Sequence, residues 1–357
     1  MKKKGFTLIE LLAVIVILAV IALIVTPIVT GIIKSAKEQA NARSVEGHIS
    51  NVEYAISSKI LSTGKITQYD ITNDILSEDI SVPSNDTIVC SLYTIKSGKV
   101  MEAKYCKDNS WNKVYSYSTS GGAYSLDFNG TYVAAQAGET HKGIVYLDPS
   151  DISRECNEDS EITTTNTGCK KFYIYNDTGD NYTMIMDRNT TAFVAWANHD
   201  DYIAAGGTEE DWNSSRYNTQ GPVTVTKKLK EDTANWIGSP RLIKQSEVRT
   251  ITGNNGTSSY YFGSNNNTTS YADQTDAQKA IQQSYHWLFD YTLDCTSYGC
   301  QTANSSTYGY WTSDAVSGIS YAWSVSRYGL LSINFANYDT NYGVRPVISI
   351  SKSLLGN

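Results

Sequence analysis

The chain opens with a long apolar run. Between Leu11 and Ile33 no charged residue occurs, and most positions are Leu, Ile, Val or Ala. A helix rises by 1.5 Å per residue, so this run would form about 35 Å of apolar helix, which is enough to cross a bilayer. The pattern therefore predicts a membrane-spanning helix close to the N-terminus.

Past Lys34, apolar residues recur every three or four positions. This spacing forms one stripe of an amphipathic helix. Gly64 follows the stripe and suits a helix C-cap. We expect one helix to reach residue 64 and to pack this stripe against a small domain. The stripe consists of Val45, Ile49, Val52, Ile56 and Ile60.

Short runs of strand-forming residues follow the predicted helix. In 65–120 they predict a small sheet, with runs at 87–92, 99–105 and 113–117. Residues 118–125, STSGGAYS, have the composition of a linker, so we place a second domain at 126–353. Its predicted strands include 143–147, 172–175 and 182–186, and 176–180 carries a hairpin signal. Helical patterns follow at 240–253 and 276–291. These elements predict an α+β protein.

Six cysteines form three couples of close sequence neighbours, and none has the C-x-x-C spacing of a zinc site. Behind an export signal, an even count predicts disulfides, for which fifteen pairings exist. We favour the three local pairs. They are Cys90–Cys106, Cys156–Cys169 and Cys295–Cys300.

The charge balance argues against nucleic acid as a partner. Asp and Glu number 36 against 29 Lys and Arg, which gives a formal net charge of −7. Phosphate binding needs patches of Lys and Arg. The run at 227–230 has three lysines, and a solvated loop explains it.

The first residues carry a specific motif. Three lysines and Gly5 precede Phe6-Thr7-Leu8-Ile9-Glu10. A secretory signal peptide would have a shorter apolar core with a small residue after it, and a plain anchor would have no use for Glu10. The segment is similar to the leader and mature N-terminus of type IV pilins and pseudopilins.

The resemblance implies that residues 1–5 are a leader and 6–64 the assembly helix. A prepilin peptidase would cut after Gly5 and methylate Phe6. The implied partners are other pilin subunits and the pilus assembly machinery. The subunit would sit in the cytoplasmic membrane, with its C-terminal part outside, before it enters an extracellular pilus.

Glu10 would then serve assembly. Cleavage creates an amine at Phe6 with an ordinary pKa of about 8, so it is mostly cationic. A buried charge is costly when alone and tolerable when paired, and a pair fixes register. Glu10 of one subunit would pair with the Phe6 amine of its neighbour.

Two later stretches resemble the C-type-lectin-like fold, in the branch that includes formylglycine-generating-enzyme-like domains. One is Pro240-Arg241-Leu242-Ile243 with Glu247. The other runs from Tyr310-Trp311 through Ala322-Trp323 to Gly343-Val344-Arg345-Pro346-Val347. The resemblance implies a lectin-like domain at 126–353. We expect Trp311 and Trp323 in its core and Arg345 as a buried hydrogen-bonding hub.

Catalysis is not expected. Formylglycine-generating enzymes use a cysteine pair spaced like Cys295 and Cys300, but the order of motifs differs here, so a structural disulfide is favoured. His199 beside Asp200 and Asp201 could bind a metal, although such loop groups are usually solvated. The remaining histidines lack a visible nucleophile or base. We expect no cofactor and no metal.

A binding face is expected in 321–347. Alternation points Trp323, Val325, Leu331, Ile333 and Phe335 inward, leaves Ala322, Ser324, Ser326, Leu330, Ser332 and Asn334 outward, and puts a turn at 327–329. Tyr, Ser and Asn are typical of antibody-like binding surfaces. A tyrosine-rich surface without a role remains the alternative. The predicted ligand-binding residues are Ser324, Ser326, Tyr328, Ser332, Asn334, Asn337, Tyr338 and Tyr342.

Three functions remain open. The first is a minor or tip pilin that displays a binding domain for an extracellular glycan or protein. This domain also resembles the variable proteins of diversity-generating retroelements, which implies that 309–347 is hypervariable. The second is a pseudopilin of a secretion or DNA-uptake system. The third is a surface oxidase of the formylglycine-generating kind.

Overall fold

The structure is a computed structural model that divides the chain into two compact units, Met1–Leu126 and Asp127–Asn357. The residues that it describes are 8–63, 87–90, 92–96, 98–108, 111, 113–158, 168–263, 274–289, 308–318 and 320–355.

The first unit contains a long helix and a four-stranded antiparallel sheet. Helix α1 spans Leu8–Thr63, one residue short of the predicted end. The sheet, called the first sheet, has the order β1-β2-β3-β4. Its strands are β1 (Leu92–Lys96), β2 (Lys99–Cys106), β3 (Val114–Ser118) and β4 (Gly122–Leu126).

The predicted helix stripe packs on the first sheet. Val45, Ile49, Val52 and Ile56 are buried in one core cluster with Val100 of β2, and Ile60 packs against its edge. Carboxylates of the same helix accept hydrogen bonds from the sheet backbone, Glu53 from the Val100 amide at 2.9 Å and Glu46 from the Ala123 amide at 3.4 Å. Apolar contact and charge-assisted hydrogen bonds therefore hold the helix to the sheet.

Two sequence predictions for this unit need correction. Residues 118–125 are not a linker, because they form the β3–β4 turn and most of β4. Gly122 adopts a positive φ of 66° in that turn, so its glycines serve a tight hairpin. Strand β1 begins at Leu92, whereas the first strand was predicted at 87–92. The Cys90–Cys106 disulfide is present.

The second unit has two five-stranded sheets. The second sheet is antiparallel, with the order β14-β8-β7-β6-β5. The predicted strands and hairpin are confirmed, because β7 and β8 pair across the turn that precedes Asn181. The strands are β5 (Thr131–Ala134), β6 (Gly143–Leu147), β7 (Lys170–Asp177), β8 (Asn181–Met186) and β14 (Val347–Ser351).

The third sheet has the order β13-β10-β11-β12-β9, and β13 runs parallel to β10. Strands β11 and β12 form a hairpin whose turn is Arg327–Gly329, as predicted. The strands are β9 (Tyr260–Tyr261), β10 (Gly309–Ala315), β11 (Tyr321–Ser326), β12 (Leu330–Phe335) and β13 (Tyr342–Gly343).

Short helices complete the second unit, and Lys352–Leu355 is a 3-10 turn. Asn198 and Thr208 cap two of these helices by accepting backbone N–H groups, which explains where those helices begin. The helices are α2 (His199–Ala204), α3 (Glu209–Asn213), α4 (Val223–Asp232), α5 (Gln245–Thr252), α6 (Asp276–Ser284) and α7 (His286–Phe289).

Both faces of the third sheet are covered near its centre. One face, with Trp323 and Val325, shares a core with Ile185 of the second sheet. The other face, with Trp311 and Ala322, packs under residues 194–229. The Cys156–Cys169 disulfide lies in a smaller cluster beside Tyr146, whereas Cys295–Cys300 lies outside the described residues. The chain is therefore α+β with two disulfides in its described part, as predicted.

Candidate functional site

The described part of the N-terminal segment exposes apolar side chains along α1. Leu11, Leu12, Ile15 and Ile17 are each more than half exposed, and so are Ile32 and Ile33 farther along. Gly5 and Phe6 lie outside the described residues, and Glu10 is placed by its backbone only. Burial of such apolar surface is favourable, so this part of the helix needs an apolar environment.

The predicted membrane span at 11–33 is not confirmed. Within the residues that the structure describes, no helix has the combined length and apolarity that crossing a membrane requires.

Strands β11 and β12 place several predicted ligand-binding residues on one face of the third sheet. Ser324 pairs with Ser332 and with Trp311, while Asn334 pairs with Ala322. Residues paired across neighbouring strands point to the same side. The alternation therefore sorted these residues correctly onto one face.

The predicted exposure of that face is wrong on β11. Ser324 is 0 % exposed and Ser326 is 6 % exposed, and Ala322 is also buried. On this face Trp311 and Ala322 pack under residues 194–229: the indole of Trp311 donates to the Val194 carbonyl at 2.7 Å, and Trp196 donates to the Thr312 carbonyl at 2.9 Å. Alternation of apolar and polar residues along a strand shows which residues share a face, but it does not show which face a distant segment covers.

The opposite face also departs from the prediction. Trp323, Val325 and Leu331 point inward, as expected, but Ile333 is 41 % exposed and Phe335 is half-buried. Neither Ile333 nor Phe335 belongs to the core cluster that contains Trp323, Val325 and Leu331.

Four predicted residues form one polar cluster. The Asn334 amide donates to the Ser324 hydroxyl at 2.8 Å and to the Ser332 hydroxyl at 3.2 Å. The Tyr342 phenol bonds with all three side chains; burial raises its pKa, and these hydrogen bonds oppose the rise. Tyr342 is 6 % exposed, so its predicted place at the surface is also wrong. Ser332 and Asn334 are half-buried and reach the surface.

The most exposed part of the predicted face is the β11–β12 turn. The Arg327 guanidinium lies 4.6 Å from the Tyr308 ring and 5.0 Å from the Tyr328 ring, and it donates to the Tyr328 hydroxyl at 2.8 Å. Both tyrosines are 46 % exposed. Cation–π contacts of this kind hold the guanidinium and the faces of the two rings in one arrangement. We call Tyr308, Arg327 and Tyr328 the tyrosine–arginine corner.

The backbone of that turn is held from below. Gln282 of α6 donates to the Tyr328 carbonyl, and the Ser326 hydroxyl accepts the Tyr328 amide at 3.2 Å. A Cβ at position 329 would lie 2.9 Å from the Phe289 ring, and Gly329 has a φ of 68°. The corner therefore rests on a turn with one well-defined backbone.

Tyr338 and Asn337 lie away from the corner, at the other end of β12. The Tyr338 ring lies 5.3 Å from Phe335, which in turn lies 4.5 Å from Tyr321. Tyr338 is exposed and Asn337 half-buried. The structure thus groups the eight predicted residues around a half-buried polar cluster with exposed tyrosines at both ends.

Arg345 is a buried hub, as predicted. Its guanidinium donates to four backbone carbonyls at 2.6–3.0 Å, and it lies over the Tyr310 ring. The acceptors are in Met186 and Asp187 after β8 and in Trp287 and Leu288 of α7. Arg345 therefore joins the end of β8 to α7, and its place is structural.

His199 bridges two short helices. Its ring nitrogens lie 3.1 Å from Asp200 and 3.0 Å from Glu209. Hydrogen bonds that its ring N–H groups donate to the Glu209 and Asp200 carboxylates raise the pKa of His199. Among the described residues, no group of three or more His, Cys, Asp or Glu side chains could hold a metal ion.

Two residues of interest were not predicted from the sequence. Tyr308 precedes the Tyr310-Trp311 motif and was not singled out. Arg249 is buried on the core side of α5 beside Val248. The signal for Arg249 was available, because an arginine on the apolar stripe of a short helix must find buried partners.

Comparison with known proteins identifies only the beginning of the chain. Residues 1–26 match the family model described as the prokaryotic N-terminal methylation motif. No curated protein matches the chain, and no solved structure does. The motif supports a type IV pilin-like or pseudopilin-type protein that is processed by a prepilin peptidase, anchored to the membrane and assembled into a pilus.

Proposed function

We propose that the chain is a type IV pilin-like subunit, a minor or tip pilin, that carries a binding domain at its C-terminal side. One observation carries the proposal: the methylation motif at residues 1–26 overlaps the start of a 56-residue helix. The N-terminal part of this helix is apolar and exposed, and its C-terminal part packs on the first sheet. The first part suits assembly, and the second part presents the folded units.

Cleavage between Gly5 and Phe6 would give Phe6 a new amine that is methylated. Glu10 of one subunit would then pair with this amine in a neighbouring subunit. The exposed apolar side chains of α1 would be covered by lipid before assembly and by neighbouring subunits after it. Each environment removes the same surface from water.

The second unit would bind an extracellular glycan or protein through the third sheet. Exposed tyrosines, small polar residues and one arginine supply the side chains that dominate binding surfaces. The motif residues of the lectin-like resemblance lie at structural positions, with Trp311 and Trp323 in the core and Arg345 as a hub. This agreement supports a lectin-like domain.

The retroelement resemblance leads to a genetic expectation. The DNA beside the gene would hold a near-repeat of the codons for 309–347 and a reverse transcriptase. Absence of both would end the hypervariability part of the proposal without touching the pilin part.

The processing experiment tests the pilin part. Mass spectrometry of the exported protein is expected to find a mature chain that starts at methylated Phe6, and a different start would refute the proposal. Glu10→Ala is expected to leave the membrane-associated subunit intact and to remove it from sheared filaments. Glu46→Ala, on the same helix but at the first sheet, is the control that should still assemble.

A pseudopilin of a secretion or DNA-uptake system shares this N-terminal segment. Loss of protein export or of DNA uptake on gene deletion, with filaments unchanged, would favour that function. Free thiols at Cys295 and Cys300 that bind copper would favour a surface oxidase instead.

A further inference from the structure

Arg241, Arg345 and Arg249 of the second unit differ in which groups interact with their positive charge. Arg241 forms a two-pronged ion pair with Glu247, at 2.6 Å and 2.8 Å. Arg345 donates to four backbone carbonyls. Arg249 has neither arrangement, although only 8 % of it is exposed.

The contacts of Arg249 are few and neutral. One Nη donates to the Asn254 side-chain oxygen at 2.9 Å, and the other donates to the Ser258 carbonyl at 2.8 Å. The Nε atom is buried and has no hydrogen-bond acceptor among the described residues. No described carboxylate acts on this guanidinium.

Aromatic rings compensate part of the charge. The guanidinium lies 5.0 Å from the Tyr260 ring and 5.2 Å from the Trp323 ring. Arg249 is also in the last turn of α5, where the helix dipole favours a cation. Neither contact accepts the Nε hydrogen, and an unsatisfied buried donor on a charged group carries a desolvation penalty.

We propose that Arg249 holds a small monovalent anion beneath the loop 253–258, against Tyr260 and Trp323. The anion would accept the Nε hydrogen and neutralise the guanidinium. Its size is limited, because Tyr260 and Trp323, whose rings lie 5.0 Å and 5.2 Å from the guanidinium, are both buried. Chloride and bromide are the probes of choice, and gluconate is a monovalent anion too large for an enclosed site.

The first experiment is thermal unfolding of the full chain in sodium chloride and in sodium gluconate at equal ionic strength. All tryptophans except Trp111 lie in the second unit, so their fluorescence reports on it. Chloride is expected to raise the melting temperature by about 2–4 °C. Arg249→Gln should abolish the difference between the two salts, and Arg216→Gln, which alters an arginine whose side chain is 51 % exposed, should keep it.

The second experiment locates the anion without any substitution. Crystals of the wild-type chain soaked in bromide are expected to show an anomalous peak in hydrogen-bond contact with the Arg249 guanidinium. The proposal is overturned if no peak lies there, if chloride and gluconate give the same melting temperature, or if Arg249→Gln keeps the chloride effect. A carboxylate of the chain itself in that place would produce the first two of these results.

Discussion

Two histidines of the second unit have pKa values that are shifted in opposite directions by burial and by neighbouring charges. His141 is buried between Tyr173 and Trp287, with ring centroids 5.2 Å and 5.9 Å away. Burial lowers the pKa of His141, while the nearby Glu139 carboxylate opposes that effect and Lys171 adds to it. His199 shows the opposite behaviour, because two carboxylates raise its pKa. The two histidines therefore make opposite contributions to the pH dependence of stability.

His141 predicts a loss of stability in mild acid. In the unfolded chain its pKa is about 6.5; in the folded chain it is lower, so below pH of about 6.5 the unfolded state binds more protons. Its contribution is fully present above that pH and falls as the pH drops through it. His141→Phe should therefore lose less stability than wild type between pH 7.5 and 5.5, as measured by urea unfolding.

His199→Gln is the matched control. The raised pKa of His199 adds stability at acid pH that disappears as the pH rises through the folded-state value. Its removal should make the loss on acidification steeper. Equal slopes for wild type and His141→Phe would contradict the assignment of His141 as a buried neutral histidine.

At the scale of elements, α1 and the β11–β12 hairpin show what a period in sequence can predict. The helix stripe was predicted correctly because each of its positions packs on one neighbour, the first sheet. The turn of the hairpin and the residues that share each face were predicted from alternation, but the outward placement of Ser324 and Ser326 was wrong. That face of the sheet is covered at Trp311 and Ala322 by Val194 and Trp196, which are more than a hundred positions away in sequence. Local alternation contains no information about such a distant cover.

The helix stripe leads to a prediction about the first unit. Ile56 is 0 % exposed within the core shared by α1 and the first sheet. Ile56→Ala should destabilise this unit by about 2–5 kcal/mol, because it removes buried methyl groups and leaves a cavity. Faster amide hydrogen exchange in β2 would report the change.

Tyr54 provides the control on the same helix. It is 70 % exposed, and Tyr54→Ala should change stability by less than about 0.5 kcal/mol. Similar exchange rates in the two variants would show that α1 does not depend on this stripe for its packing.

The whole molecule combines an N-terminal segment that carries the methylation motif with two folded units. The motif at residues 1–26 could be recognised from sequence because it is short and local. The lectin-like resemblance rests on Trp311 and Trp323, which lie in the core, and on Arg345, which is a hydrogen-bonding hub. Residues in such positions determine the fold and do not identify a ligand. The tyrosine–arginine corner could not be predicted from the β11–β12 turn alone, because it also needs Tyr308, which the fold brings next to Arg327.

Binding at the third sheet predicts a separation of two phenotypes. Alanine at Tyr308 and Tyr328 together should weaken attachment of piliated cells at least tenfold, since aromatic anchors dominate binding energy. The number of filaments per cell should stay the same, because these residues lie outside the assembly helix. Attachment assays with electron-microscopic filament counts provide the measurement.

Tyr124 of the first unit is the control, because it is also about half exposed. Tyr124→Ala should leave attachment unchanged. Wild-type attachment by the double variant at Tyr308 and Tyr328 would remove the corner from the binding surface.

The way the β11–β12 turn is held has a consequence for how this surface can evolve. Its shape depends on a backbone carbonyl at 328, a backbone amide at 328 and the absence of a side chain at 329. None of these depends on which side chains stand at 327 and 328. Exchange of those two residues is therefore expected to leave the backbone of the turn unchanged as long as Ser326, Gly329 and Gln282 are kept, so the side chains that the turn presents can vary without a change of fold.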